Sequence, residues 1–205
     1  MAFPSMSQVS AGPKIQLNFS SVTGGDNDAD NNFKLGFNAG VFLNIAATEM
    51  VDVHPEMLYS TRGYRRVKSI GTKDTNLLHI LSYIDFPFLA NIHIGDNAFI
   101  EAGPQIGYLI NDKTKGQVVS SSTIYQIDTG NVYGYKTTEY SLVLGGGYKF
   151  NFGMSAALRL NYGITKLYDA NSLSRNISFG VSVSYWFGGD SGVGGRGGGV
   201  VYKRI

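Results

Sequence analysis

The stretch 177–187, ISFGVSVSYWF, alternates without a break. Ile177, Phe179, Val181, Val183, Tyr185 and Phe187 are apolar or aromatic, and Ser178, Gly180, Ser182 and Ser184 lie between them. A period of two defines a strand with one apolar face. Seven further segments alternate in the same way, near 12–22, 33–46, 51–65, 78–94, 98–111, 137–150 and 155–167. Their charges keep to one parity. Lys14, Lys34, Asp52, Glu56, Arg62, Asp85, Glu101, Glu139, Lys149 and Arg159 all alternate with the apolar set, which is bulky and uncharged: Leu35, Phe37, Ile84, Phe86, Phe88, Leu142, Leu144, Leu158 and Leu160.

That partition decides what the apolar face touches. A soluble barrel turns its polar parity to water and fills it with Lys and Glu. Here the polar parity is otherwise small and neutral, as at Gln16, Asn18, Gly36, Asn38, Gln105, Gly107, Ser141, Gly145 and Asn161, and its ten charges divide into five of each sign. Small residues with balanced charge suit a crowded polar interior. A Lys or Arg facing lipid costs roughly 2–4 kcal/mol at the bilayer midplane, so charge is excluded from a wall that meets hydrocarbon. A closed barrel is one of only two architectures that satisfy every backbone group there. The reading is all-β: an eight-stranded antiparallel up-and-down transmembrane β-barrel of the OmpA/OmpX kind.

The connections support it. Turn-rich loops, VTGGDNDADNN, KSIGTKDTN, 112–135 and YDANSLSRN, alternate with the short links ATEM, GDN and NFGM. Tight turns at one end and longer loops at the other are the pattern of outer-membrane barrels. An even strand number places both termini at the tight-turn end, expected to be periplasmic. The segment QVVSSSTIYQID either extends strands five and six as a hairpin or forms a loop. Tyr59, Tyr64, Tyr108, Tyr148, Tyr162, Tyr185 and Phe187 lie toward strand ends, where aromatic girdles are expected.

Composition closes off other classes. No run of 18 apolar residues is present, so a membrane-spanning helix is excluded. The net charge of +2 offers no nucleic-acid partner, and the lack of cysteine removes disulfide and thiolate chemistry. Residues 1–10 read as an N-terminal remnant or leader, 11–187 as the barrel, and 188–205 as a tail. The tail has eight glycines in its first twelve residues and ends in the short cationic segment Val200, Val201, Tyr202, Lys203, Arg204. That segment is a weak candidate for adding as a strand to a partner's sheet edge.

An eight-stranded barrel has room only for side chains inside. Charges trapped there need partners, so a network is expected in which Glu56, Asp85 and Glu101 pair with Arg62, Lys149 and Arg159. Other candidate sites are weaker. Asp26, Asp28 and Asp30 alternate like the start of a calcium loop, but the expected glycine is Asn31 and the expected bidentate Glu is Phe37. His54 and His93 share the polar parity and suit hydrogen bonding in the lumen. His79, with Ser69 or Asp74, makes a conceivable hydrolytic triad that no motif supports. No cofactor is expected.

Several stretches resemble the PorT-like outer-membrane β-barrel family of Bacteroidetes, whose members are described as porin family proteins. They are HPEMLYSTRGY (54–64), YIDFPFLANIHIG (83–95), FIEAGPQIGYLI (99–110), LVLGGGYKF (142–150) and RLNYGITKL (159–167), followed by the closing aromatic strand. The resemblance covers roughly residues 10–187. It implies an eight-stranded outer-membrane barrel with a periplasmic N-terminus and does not imply an enzymatic activity, and some relatives serve in secretion. Such proteins usually end at the terminal aromatic, whereas here 18 residues follow Phe187.

The functional expectation is a monomeric, non-enzymatic barrel with a plugged lumen. Its partners would be outer-membrane lipid and an envelope protein reached through the outer loops or the tail, in a structural role or one accessory to envelope assembly or secretion. Two alternatives come from other classes: a lipocalin-like carrier of an apolar ligand, and a membrane-embedded lipid-modifying enzyme using His79.

Overall fold

A computed structural model describes residues 9–24, 31–70, 73–120, 123–130, 134–167 and 173–187. Nine strands lie among the described residues: β1 (Val9–Thr23), β2 (Asn31–Ala46), β3 (Val51–Ile70), β4 (Lys73–Ile94), β5 (Ala98–Ser120), β6 (Thr123–Gly130), β7 (Thr138–Lys149), β8 (Met154–Gly163) and β9 (Arg175–Tyr185). Eight of them form a closed antiparallel ring in the order β4-β3-β2-β1-β9-β8-β7-β5, and β5 bonds back to β4. Closure leaves the ring no edge strand. Beyond β9, Phe187 still exchanges backbone bonds with Ala11 on β1.

The wall is inverted relative to a soluble protein. Phe86, Leu142 and Val181 are 41%, 53% and 51% exposed, whereas Glu101 and Arg159 are 1% and 6% exposed. Apolar side chains form the outer surface, and of the ten charges on the polar parity nine are buried and Lys149 is half-buried. This excludes the lipocalin-like alternative. A carrier of that kind needs an apolar cavity, and the central part of this lumen is packed with ionised and amide groups.

Three tight links, 47–50, 95–97 and 150–153, gather at one end. Gly95 and Gly153 adopt φ of +63° and +83° there, the left-handed conformation that a tight turn requires of glycine. At the other end the structure departs from the sequence-based loops. The described residues of KSIGTKDTN are strand: β3 and β4 pair from Arg66↔Leu77 to Ile70↔Lys73. QVVSSSTIYQID takes the hairpin form, with β6 pairing only with β5, from Lys113↔Gly130 to Ser120↔Thr123. Strands β3, β4, β5 and β6 thus rise beyond the ring as a four-stranded projection. Past the inward contacts at its base, both faces of the projecting sheet meet water, so its sequence lacks the apolar alternation that marks the wall.

Tyr64 corrects the girdle assignment. It is 1% exposed and points inward, stacked on His79 with ring centroids 4.4 Å apart. It shares parity with Arg62 and Glu56, and that parity outranks its position near the rim. Tyr59, Tyr108, Tyr148, Tyr162, Tyr185 and Phe187 do face outward. At the tight-turn end they join a cluster in which Phe150 contacts Tyr148 and Phe152, and Tyr185 contacts Phe187.

Candidate functional site

Alternate residues of eight strands point into the lumen, and there they stack in layers. Nearest the tight turns, Asp52 accepts a hydrogen bond from Asn44 Nδ2 (2.9 Å) and lies 2.8 Å from His93 Nε2 and 3.4 Å from Lys149 Nζ. Lys149 also sits 4.4 Å over the ring of Trp186, and Phe42 stacks on His54 and meets that indole edge-on.

Deeper in lies the first of two fully buried ionic layers, a compact cluster. Arg159 Nη1 and Nη2 each donate to Glu56 at 2.7 Å, a bidentate pair, and Nη2 also donates to Glu101 at 2.7 Å. Arg159 Nε donates to the other Glu101 oxygen. Lys14 Nζ donates to Glu56 Oε1 at 2.8 Å, and His54 Nε2 lies 3.1 Å from the same atom. Two cations thus face two carboxylates, and His54 flanks them. The partners come from β1, β3, β5 and β8, so the cluster ties the ring across its diameter. Planar, forked guanidinium suits this role because it engages two carboxylates at once.

Toward the long-strand end lies a second layer. Arg62 donates to Asp85 at 2.5 Å and to Glu139 at 2.6 Å, and its guanidinium carbon sits 4.3 Å from the centroid of the Tyr83 ring. Asn176 donates to Glu139 and, at 3.4 Å, to the Tyr83 hydroxyl. Between the two layers the cavity lined by Gln16, Leu58, Gln105 and Val143 measures about 10 Å³, room for about one water. Two glycines make the packing possible. A Cβ on Gly107 would lie 2.5 Å from Asp85 Oδ1, and one on Gly145 would lie 2.7 Å from Glu101 Oε1.

Above the second layer the lumen turns apolar. Val22, Tyr64, Leu81, Tyr83 and Leu167 pack together, with Leu109 and Tyr135 against them. His79 lies in this cap, fully buried, its Nδ1 3.1 Å from the Thr114 hydroxyl and 3.2 Å from that of Tyr135. It sits in the projection, beyond the apolar outer band. Burial, and then the charge of Arg66, lower its pKa to about 4. A histidine that is neutral in the fold but takes a proton near 6.5 when unfolded supplies stability at neutral pH. That stability is lost as pH falls from about 6.5 through about 4. The loss should reach at most about 3 kcal/mol. Replacing His79 by Phe should flatten this part of the stability-versus-pH curve, measured as the urea midpoint between pH 7 and 4.

Of the six expected lumen charges, Arg62 meets Asp85, and Arg159 meets Glu56 and Glu101. Lys149 instead meets Asp52, at the tight-turn mouth. Lys14, Asp52, His54, His93 and Glu139 complete the layers and were not assigned partners from sequence, although Lys14, Asp52 and Glu139 share the charged parity. The triad does not assemble. His79 pairs across strands with Tyr64, whereas Ser69 and Asp74 pair with each other five ladder positions further out. Asp26, Asp28 and Asp30, and the segment Val200, Val201, Tyr202, Lys203, Arg204, lie outside the described residues.

Comparison with known proteins places this geometry. Neisserial surface protein A has the same fold with a TM-score of 0.54, at 10% identity over 86% of this chain and 97% of that one. Lower on the same scale are Ail, the attachment invasion locus protein of Yersinia pestis (0.43, 16% identity, 87% and 98% coverage), and the outer membrane protein OprG from Pseudomonas aeruginosa (0.43, 10% identity, 90% and 100%). No curated protein matches. A family model described as outer membrane protein beta-barrel domain matches residues 5–169, ending just short of β9. That match takes in the greater part of the 205 residues, so the chain belongs to the outer membrane protein beta-barrel domain family, whose place is the bacterial outer membrane.

Proposed function

We propose that this protein is a monomeric, non-enzymatic outer-membrane barrel that is closed to ion flow and acts by binding other envelope components. The observation that carries the reading is the lumen. Two ionic layers and an apolar cap are stacked across a barrel that has space only for side chains, with a water-sized gap between the layers. A path for hydrated ions would have to part several buried charge-assisted bonds at once.

The working surfaces are then outside the ring: the projection of β3–β6 and the tail after Phe187. Both termini belong on the periplasmic side, with the projection facing out. Within the family, the finer relationship is to PorT-like proteins of Bacteroidetes, supported by EAGPQIGY and the proline-containing third and fourth strands. Some relatives of that kind serve in secretion, which supports a role accessory to envelope assembly or secretion without carrying it over to particular residues.

Crosslinking in native envelopes followed by mass spectrometry tests the partner. A specific protein recovered with wild type and lost on deleting 188–205 assigns it to the tail. One retained on that deletion but lost when the β5–β6 hairpin is shortened assigns it to the projection. In planar bilayers wild type should show no steady single-channel conductance, and the double variant Arg62→Ala/Arg159→Ala should conduct. A steady open level from wild type would overturn the closed-lumen reading.

A further inference from the structure

The projection carries a patch whose chemistry suits a particular lipid. Its outward face is fixed by the inward contacts: Tyr64, His79 and Thr114 point into the cap, so Arg65, Leu78, Lys113 and Lys115 point outward. Arg65 pairs across strands with Leu78, and Leu78 with Lys115, while one row nearer the membrane Ile80 pairs with Lys113. Three exposed cations therefore surround two half-buried aliphatics on adjacent strands. Arg65 Nε donates to Asn76 Oδ1 at 3.0 Å, which holds the guanidinium on this face. The nearby acid is Asp128, 3.8 Å from Lys115 and mostly in water.

Height selects the ligand. Lys113 lies three residues past the exposed Ile110, and Lys115 five. At about 3.3 Å per residue and a tilt near 40°, they stand roughly 8 and 13 Å above that end of the apolar wall. The polar zone of an ordinary bilayer is only about 5–8 Å deep on each side. Lys113 reaches that zone, whereas Arg65 and Lys115 stand higher, at the depth of a head group built from sugars. Leu78 and Ile80 connect the cations to the wall below, so the ligand that fits has acyl chains as well as anionic groups.

We infer that Arg65, Lys113 and Lys115 form a binding site for a phosphorylated glycolipid of the surrounding leaflet, its phosphates on the cations and its acyl chains along the wall under Ile80. Lys and Arg at a membrane surface each contribute about fivefold in affinity for anionic lipid.

The test uses the full-length protein in detergent micelles, with native mass spectrometry read against three added probes: bisphosphorylated lipid A, the same lipid without phosphates, and a soluble sulfated oligosaccharide. Wild type should retain phosphorylated lipid A about tenfold or more tightly than either of the others. The triple variant R65Q/K113Q/K115Q should lose that preference, and D128N should strengthen it. Equal retention of phosphorylated and unphosphorylated lipid by wild type overturns the site without needing any variant to fold. Tighter binding of the soluble oligosaccharide than of lipid A overturns the lipid as ligand. The inference rests on the proposed outward orientation only for which leaflet is met. Micelle binding is blind to orientation, and protease access in whole cells checks that separately.

Discussion

Replacing Arg159 with leucine is expected to cost about 3–5 kcal/mol of barrel stability, because it leaves two buried carboxylates facing each other without their shared cation. Arg159 makes four charge-assisted bonds, two to Glu56 and two to Glu101, and all three side chains are buried. Lys14 would remain on Glu56 at 2.8 Å, but Glu101 would lose both of its hydrogen bonds to the guanidinium. The measurement is the urea midpoint of refolded protein, followed by the mobility difference between boiled and unboiled samples on gels. Neutralising the cluster in concert, R159M/E56Q/E101Q, should recover most of the loss, since a buried ion network is often replaceable as a whole but costly to halve. If R159L unfolds at a midpoint indistinguishable from wild type, the cluster does not hold the ring together.

The parity that led to this layer was legible in the sequence, but the pairing was not. Each strand declares which side chains share a face, because the side-chain period is two. It does not declare height. Glu56 and Arg159 are 103 residues apart and meet from strands on different sides of the lumen. Whether two inward charges lie level depends on the stagger of every strand between them. Lys149 illustrates the point: its parity was right, yet its height puts it beside Asp52 at the mouth, away from the three acids it was expected to join. His54 and His93 were legible as lumen hydrogen-bonding groups for the same reason, and their partners Glu56 and Asp52 were not.

The projection was hidden for a different reason. Residues 66–76, RVKSIGTKDTN, have the turn-rich composition of a loop and no alternating apolar set, because outside the membrane neither face of the hairpin has hydrocarbon to meet. What stabilises it is backbone pairing along four neighbouring strands and an inward apolar cap that includes Tyr64 and Leu81, with His79 stacked on Tyr64. Tyr64 was the available clue: an aromatic on the charged parity, so a lumen residue and not a girdle residue. A cap of this kind also explains why the lumen changes character along its axis. Ion pairs occupy the stretch enclosed by lipid, and apolar side chains seal the end that opens toward water.

The second large effect lies on the opposite face of the same wall. Val181 is the middle outward residue of β9, flanked by Phe179 and Val183, and it pairs with Leu158 on β8 and Leu17 on β1, all exposed. A Val181→Arg substitution should therefore destabilise the barrel in lipid by about 2–4 kcal/mol, whereas Phe187→Arg, at the aromatic rim, should cost at most about 1 kcal/mol. The difference between the two is the measurement that matters, because local strand propensity changes in both but bilayer depth changes only between them. Folding titrations into phospholipid vesicles supply it. If Val181 instead faced an aqueous surface, its arginine variant would fold about as well as the rim variant. Equal stabilities would thus remove the bilayer from the argument, and with it the reason why ten charges keep to one parity.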